Sequence, residues 1–184
     1  MKLIETNIAD LLVLQRDVKG DARGYFERLF CQNIMGSFLD QRRICQINHS
    51  YTAKLGTVRG LHFQYPPHAE VKIVTCLKGQ VLDVAVDLRQ DSPTFLKHFS
   101  ILLTETNHQS LIIPEGFAHG FQTLVNHCEL IYFHTEYYNQ ILEGALNAVD
   151  PMLGIDWPLA ISERSSKDEQ HAFINRDFKG IKVK

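Results

Sequence analysis

Apolar and polar residues alternate along this chain in many short runs that turn-forming residues separate. In the clearest run, Gln80–Leu88, alternation with a period of two puts Val81 and Asp83 on one face and Leu82 and Val84 on the other. Glycine, proline and asparagine close the runs, as expected for strands joined by turns. Further strands are predicted at Val71–Cys76, Phe99–Leu103, Ser110–Ile113, Gly120–Leu124 and Glu129–Thr135.

Short strands spaced about ten residues apart are typical of an antiparallel barrel or jelly roll rather than an α/β fold. Helical segments are expected only around Asn33–Leu39 and near Asp168–Phe173. The sequence contains no low-complexity segment, internal repeat or linker, and its 184 residues are 45% hydrophobic, enough to bury a sizeable core. The sequence therefore predicts one all-β domain that spans residues 1–184.

The charge pattern argues against nucleic-acid and membrane partners. The net charge is −2, and the 19 Lys and Arg residues are scattered, with no basic run longer than Arg42-Arg43. Glu5 and Asp10 interrupt the apolar stretch near the N-terminus, and no apolar segment approaches the roughly 20 residues that a transmembrane helix needs. We therefore expect a cytoplasmic protein that binds neither nucleic acid nor a membrane.

The four cysteines, Cys31, Cys45, Cys76 and Cys128, are widely spaced and never form a CxxC pair. A zinc site built from them would require four distant strands to converge. In a reducing compartment, buried thiols are the simpler explanation.

Side chains that could perform chemistry concentrate in four clusters. The densest begins with Arg59–Gln64 and continues to Glu70 and Lys72. If Arg59–Gln64 forms a strand, His62 shares a face with Gly60, while the apolar residues of the run face the other way. One polar and one apolar face is the pattern of a barrel wall that lines a ligand cavity.

The other three clusters are Ile113–Phe121, Leu130–His134 and the late polar segment Ser166–Asp168. Alternation within the second of these places Tyr132 and His134 together on one face. Each cluster also has a purely structural explanation, because a lone histidine is often just hydrogen-bonded and a tyrosine in an apolar strand is often part of the core. The order and spacing of the clusters favour a functional site.

The segment Pro114–Phe121 has the form P-x-G-x-x-H and resembles the second motif of the cupin jelly-roll barrels. The first cupin motif requires two histidines separated by one residue, but here His62 is followed by Phe63 and Gln64. Because metal cupins hold their ion with both of those histidines, one ligand is missing and we expect no metal. A metal-dependent alternative would have to use His62, His68, Glu70 and His119.

Further motifs extend this resemblance to one cupin family, the dTDP-4-dehydrorhamnose 3,5-epimerases of bacterial deoxysugar biosynthesis. No single motif would identify the family, but many motifs in the same order through nearly the whole chain do. They are Gly20–Phe26, Gln46–Ser50, Gly56–Gln64, Asp83–Arg89, Ser92–Phe95, Pro114–Phe121, Thr135–Tyr138 and Gly154–Pro158. The resemblance implies a cupin jelly-roll β-barrel with a few short helices.

The resemblance also implies an isomerase that inverts C3 and C5 of dTDP-4-keto-6-deoxy-D-glucose to give dTDP-4-keto-L-rhamnose, without a metal or another cofactor. His62 would be the base, and Asp168 would pair with it. Lys72 would stabilise the enolate, and Tyr132 would be the acid on the opposite face. The residues implied to bind substrate are Arg23, Gln46, Asn48, Arg59, His119, Tyr138, Glu143 and Lys167.

In this family the segment that carries Arg23 crosses to complete the site of the neighbouring subunit, so the resemblance also implies a homodimer. Three departures from the family pattern leave the identity of the sugar open. Arg28 stands where a ligand-binding Glu is usual, Phe133 stands where a Lys is common, and Gly144–Ala148 replaces a stretch richer in Arg and Trp. We expect all three around the binding site or its rim.

Three alternatives therefore stay open at the level of sequence. The first is an epimerase that inverts only C3 or C5 of a related nucleoside-diphosphate 4-keto-6-deoxy sugar. The second is the metal-dependent cupin. The third is a catalytically silent sugar-nucleotide binder, although a binder has no need of an acid that faces a base.

Overall fold

The computed structural model describes residues 1–183, except for the side chain of Ser37. In this part of the chain the regular structure consists of thirteen strands and two short helices. The elements are β1 (Lys2–Glu5), β2 (Leu12–Gln15), β3 (Val18–Asp21), β4 (Gly24–Glu27), α1 (Gln32–Leu39), β5 (Gln46–Thr52), β6 (Val58–Gln64), β7 (Lys72–Lys78), β8 (Gln80–Asp87), β9 (His98–Thr104), β10 (Gln109–Ile113), β11 (Phe117–Thr123), β12 (Cys128–His134), β13 (Glu143–Ala145) and α2 (Ser166–Gln170).

The strands form two facing antiparallel sheets and one separate hairpin. The larger sheet has the order β1-β2-β10-β7-β12-β5, and the smaller has the order β13-β6-β11-β8-β9. Strands β3 and β4 pair only with each other among the described residues. Two antiparallel sheets that face each other across one core make a jelly roll, so the all-β prediction is confirmed. Within residues 1–183, no helix has both the length and the apolar character needed to cross a membrane.

The predicted elements are present, and no boundary is shifted by more than three residues. The alternation predicted for β8 is also confirmed, because Val81 and Ala85 lie in the apolar cluster between the sheets. Val84 and Val86 lie in a second cluster that includes Leu153 from the C-terminal part of the chain. Both faces of β8 are therefore buried, and polar side chains on its inner face need partners inside the protein.

The pairing of β6 with β11 depends on a close approach of two glycines. Gly60 has a φ of +118°, and a Cβ placed on it would lie 2.6 Å from the Cα of Gly120. Glycine alone accommodates both the positive φ and the contact. In the resulting register His119 lies directly opposite His62 on the neighbouring strand.

Candidate active site

A cavity of about 540 Å³ lies between the two sheets, and side chains from both sheets line it. His62 and His119 come from the smaller sheet, while Lys72, Tyr132 and His134 come from the larger sheet. Two neighbouring hollows of about 410 and 150 Å³ also have His62 in their walls. The three spaces, which together form the cleft, therefore meet at His62, which lines each of them.

His62 forms a dyad with Asp168, as the family resemblance implies. Its Nε2 lies 2.7 Å from Oδ1 of Asp168. The carboxylate is buried in the first turn of α2, where the Asp168 backbone N–H donates to the Oγ of the capping residue Ser165. Burial opposes ionisation, but the hydrogen bond from His62 and those from Gly60 and Ser165 outweigh it and lower the pKa of Asp168. An ionised Asp168 accepts a hydrogen bond from the Nε2–H group, so Nδ1 of His62 is the nitrogen that can take a proton.

His119 has its own carboxylate partner, Asp83, which the sequence analysis did not identify. Nε2 of His119 lies 3.0 Å from both Asp83 oxygens, and the Asp83 side chain is fully buried. The signal was present in the sequence, because alternation puts Asp83 on the inner face of β8 among apolar residues. A carboxylate in that position requires a hydrogen-bonding partner.

Tyr132 faces these histidines from the larger sheet. Its ring meets the ring of His119 edge-on, with 6.2 Å between centroids, and its hydroxyl lies 3.0 Å from Oγ of Ser50. Burial raises the pKa of Tyr132 well above its usual value of about 10. The phenol therefore keeps its proton at neutral pH and can serve as an acid.

Lys72 is held at the same end of the cavity by Glu70 and by the backbone of β6. Its Nζ lies 3.1 Å from Oε1 of Glu70 and 3.4 Å from the carbonyl oxygen of His62. The other Glu70 oxygen lies 2.7 Å from Nδ1 of His134. The His134 ring stacks on the ring of Tyr132, as expected for two residues on the same face of a strand. From the sequence, Glu70 is a candidate only for metal binding, and His134 has no predicted role in the chemistry.

The side chains of the metal-dependent alternative are paired with different groups. His62 and His119 bind Asp168 and Asp83 as described above, and His68 lies 3.6 Å from Glu136. In the described part of the chain, no group of three or more His, Cys, Asp or Glu side chains is placed to hold a metal ion. The arrangement therefore does not favour the metal-dependent alternative.

Most side chains implied to bind substrate border this cleft. Arg59 lies in the walls of both larger spaces. Tyr138 donates its hydroxyl proton to Glu143 over 3.1 Å, and Lys167 forms an ion pair with the same carboxylate. The cleft also contains Gln46 and Asn48.

Arg23 is separate from the cleft of its own chain. It lies in the turn of the β3–β4 hairpin, where its side chain is 90% exposed and pairs with Asp21. The next residues of the hairpin, Tyr25 and Phe26, are also exposed. Arg23 therefore does not join the other predicted binding residues within one chain.

The structure corrects the interpretation of one departure from the family pattern. Phe133 is buried on the opposite face of β12 and stacks on Phe30, 5.9 Å away, so the expectation that it lies at the binding site was wrong. Alternation along a strand explains this, because the neighbour of an inward-facing Tyr132 must face outward. Arg28, at a second departure, directly follows β4 and is exposed. The adjacent Glu27 accepts a hydrogen bond from Arg16 and pairs with His108.

The third departure lies beside the site. Ala145 on β13 pairs with His62. A Cβ on Gly144 would lie 2.4 Å from the ring of Phe63, so the small residue allows β13 to pack against β6.

Comparison with known proteins identifies the family. The family model for dTDP-4-dehydrorhamnose 3,5-epimerase matches residues 5–176. The dTDP-4-dehydrorhamnose 3,5-epimerase of Shigella flexneri is 38% identical over 180 residues, which are 97% of this chain and 99% of the relative. The enzyme of the same name from Salmonella typhimurium is 42% identical over 170 residues, 91% of this chain and 92% of the relative.

Among solved structures, the dTDP-6-deoxy-D-glucose-3,5-epimerase of Legionella pneumophila, in complex with dTDP-4-keto-L-rhamnose, superposes with a TM-score of 0.91. Its sequence is 34% identical, and the match covers 100% of this chain and 98% of the other. The chain therefore belongs to the dTDP-4-dehydrorhamnose 3,5-epimerase family.

Proposed function

We propose that this protein is an isomerase that inverts C3 and C5 of dTDP-4-keto-6-deoxy-D-glucose and so produces dTDP-4-keto-L-rhamnose. The single observation that carries the proposal is the placement of a His–Asp dyad on one wall of the cavity and a protonated tyrosine on the other. Inversion requires a proton to leave one face of a carbon and another to arrive on the opposite face. A cavity with a base and an acid on opposite walls meets this requirement.

The C4 ketone makes the hydrogens on C3 and C5 weakly acidic, because loss of either proton gives an enolate. His62 removes the proton through Nδ1, while Asp168 holds the ring and stabilises the imidazolium that forms. Lys72 places its positive charge near the developing enolate oxygen, which is often a large term in catalysis. Tyr132 then delivers a proton to the other face of the same carbon. Once His62 has released its proton to solvent and Tyr132 has regained one, the cycle is repeated at the second carbon.

The reaction as a whole is redox-neutral, since one proton is removed and one is returned at each carbon. No hydride and no chemical group passes to a carrier. The proposed mechanism therefore needs neither a nicotinamide, a flavin nor a metal ion.

The nucleotide end of the substrate would occupy the two hollows beside His62. Arg59 suits a diphosphate, because a guanidinium can donate two parallel hydrogen bonds to phosphate oxygens. The exposed ring of Tyr138 can stack on a nucleobase, and Lys167 supplies a further cation. Because a nucleoside-diphosphate sugar is anionic and does not cross a bilayer unaided, the proposal places the reaction in the cytoplasm.

We further propose that the protein works as a homodimer in which the β3–β4 hairpin of each chain reaches the cavity of the other. Two observations support this proposal: Arg23 is exposed and does not line the cleft of its own chain, and the aromatic residues beside it are exposed. Mixed dimers of His62→Ala and Arg23→Ala chains test it. If the hairpins are exchanged, one site of each mixed dimer combines an intact His62 from one chain with an intact Arg23 from the other. Mixing the two impaired proteins should therefore restore activity. Mixed dimers that form without regaining activity would contradict the exchange.

The function itself is tested by proton NMR of dTDP-4-keto-6-deoxy-D-glucose incubated with the enzyme in deuterium oxide. Deuterium at both C3 and C5, with the L-configured product, is the expected result. Exchange at one carbon alone would identify an epimerase of a single position. Folded protein that exchanges neither carbon would refute the proposed substrate and require a survey of other nucleotide sugars.

A further inference from the structure

Glu70 and His134 form a buried acid–base pair beside Lys72, and the proposed mechanism uses neither. The carboxylate of Glu70 is only 8% exposed and binds two different donors. One oxygen lies 3.1 Å from the Lys72 ammonium, and the other lies 2.7 Å from Nδ1 of His134. Burial opposes ionisation of Glu70, but the charge of Lys72 and the hydrogen bond from His134 outweigh it and lower its pKa.

A chain of hydrogen bonds from a backbone amide decides which nitrogen of His134 carries the proton. The backbone N–H of Tyr138 can only donate, and it donates a hydrogen bond to Oε1 of Gln46, 3.1 Å away. Gln46 therefore presents its NH₂ group to Oδ1 of Asn48, 3.2 Å away. Asn48 in turn presents its NH₂ group to Nε2 of His134, 3.3 Å away. Nε2 must accept, so the proton lies on Nδ1 and points at Glu70.

We propose that this series of hydrogen bonds holds His134 as the neutral Nδ1–H tautomer. We also propose that His134 and Glu70 are positioning residues that fix the Lys72 ammonium for the reaction. The kinetic part of the proposal rests on the proposed function. A lysine has a long flexible stem, and its ammonium holds one place only where its partner is itself fixed. Because His134 donates a hydrogen bond to the second oxygen of Glu70, the carboxylate cannot rotate. The same hydrogen bond takes up part of the negative charge of Glu70, so that less of this charge is available to neutralise the Lys72 ammonium.

The position of the His134 ring gives it a second contact with the machinery. The ring stacks on Tyr132 with 6.2 Å between centroids and 26° between planes. His134 therefore contacts the proposed acid directly and reaches the proposed enolate-stabilising cation through Glu70. At its other end the chain includes Gln46 and Asn48, both proposed to bind substrate. One set of hydrogen bonds thus connects the binding end of the cleft to the catalytic end.

The tautomer is measurable without any substrate. Spectra of the ring nitrogens of protein labelled with ¹⁵N-histidine report which nitrogen is protonated, and the resonances lost in His134→Leu identify His134. We expect protonation on Nδ1 alone near neutral pH. Protonation on Nε2, or on both nitrogens, would overturn the proposal.

Asn48→Asp sharpens the same measurement. It replaces the donor that faces Nε2 by a carboxylate, so the ring would lie between two acceptors. His134 should then carry both protons near neutral pH. A ring that stays neutral in this variant would contradict the deduced direction of the chain.

Kinetics test the positioning role. His134→Leu should lower kcat by about 10- to 100-fold, because a displaced catalytic group costs rate even when binding is retained. KM should change little. His134→Asn keeps an N–H donor near the position of Nδ1 and should recover part of the lost kcat. The matched control is His98→Leu, which removes a strand histidine that hydrogen-bonds the carbonyl of Leu153 outside the cavity and should leave kcat unchanged.

A wild-type kcat in His134→Leu, a rise in KM alone, or an Asn variant no better than Leu would each refute the positioning role. If His134→Leu does not fold, the Asn variant and the wild-type tautomer decide the matter. Inactive wild-type enzyme would count against the proposed function. The tautomer measurement would still decide the direction of the hydrogen bonds between Tyr138 and His134.

Discussion

Replacing Asp168 by Asn should inactivate the enzyme by placing a proton on the wrong nitrogen of His62. In the wild type, Asp168 accepts from His62 through one oxygen over 2.7 Å and from the backbone N–H of Gly60 through the other over 3.4 Å. An asparagine has only one acceptor oxygen, and the Gly60 N–H cannot face the NH₂ group. The asparagine would therefore turn its oxygen to Gly60 and its NH₂ group to Nε2 of His62.

That orientation reverses the tautomer of His62. Nε2 must then accept, and the ring proton moves to Nδ1, which is the nitrogen that should take the proton from the sugar. The corresponding change in the dyad of serine proteases lowers kcat by about 10⁴-fold. At about 1.36 kcal/mol for each factor of ten, the same loss here would raise the barrier by roughly 5.4 kcal/mol.

The assay is the rate at which deuterium enters C3 and C5 of the substrate, followed by proton NMR, together with calorimetric titration of dTDP. We expect Asp168→Asn to lose exchange at both carbons and to keep its affinity for dTDP, because Arg59, Tyr138 and Lys167, the side chains proposed to bind the nucleotide, are unchanged. The control is Asp177→Asn, which makes the same change at an exposed position. An Asp168→Asn enzyme that retains a tenth of the wild-type exchange rate, or that loses dTDP affinity in parallel, would refute the reasoning.

Three further predictions follow from other parts of the structure. Tyr132→Phe should still exchange deuterium but form little inverted product, because the proton would return only from the side of the base; equal loss of both would contradict this role. Gly60→Ala should lower the free energy of unfolding in urea by about 3 kcal/mol or more, since its Cβ would contact Gly120, whereas an unchanged midpoint would exclude the close approach. Burial opposes ionisation of Asp87, but hydrogen bonds from Arg89 and two hydroxyls outweigh this effect and lower the pKa of Asp87. The ionised carboxylate therefore stabilises the fold above the unfolded pKa of about 3.9, and this contribution disappears as pH falls through the lower folded pKa. Asp87→Asn should therefore cost about 2 kcal/mol at pH 7 and progressively less in acid, and a cost that is independent of pH would be evidence against this linkage.

Local pattern was sufficient for the class of fold. The alternation of β8 placed Val81 and Val84 on opposite faces, and the structure confirms it. The same rule placed Tyr132 with His134, whose rings stack in the cavity. The same rule turns Phe133 away from the site, as the structure shows, whereas the family pattern alone suggests that it lies at the site. Period-two alternation depends only on strand geometry and therefore acts within a few residues.

The local sequence pattern could not predict which side chains pair between distant parts of the chain. His62 and Asp168 are 106 positions apart, and only the family resemblance paired them in advance. Asp83 was visible as a polar residue in an apolar strand, but nothing near it in sequence indicates His119. Pairings of this kind follow from the register of adjacent strands, which the packing of the whole molecule sets.

By itself, then, the sequence determined the strands, the faces of their side chains and, through its motifs, the family and the types of residue that perform the chemistry. The tertiary structure decided which carboxylate binds which histidine, that Glu70 joins Lys72 to His134, and that Arg23 lies away from its own cleft. The physical reason is one of range. Turn and strand preferences act between neighbours along the chain, whereas the tautomer of a histidine and the place of an ammonium depend on atoms that only the folded sheets bring within about 3 Å of each other.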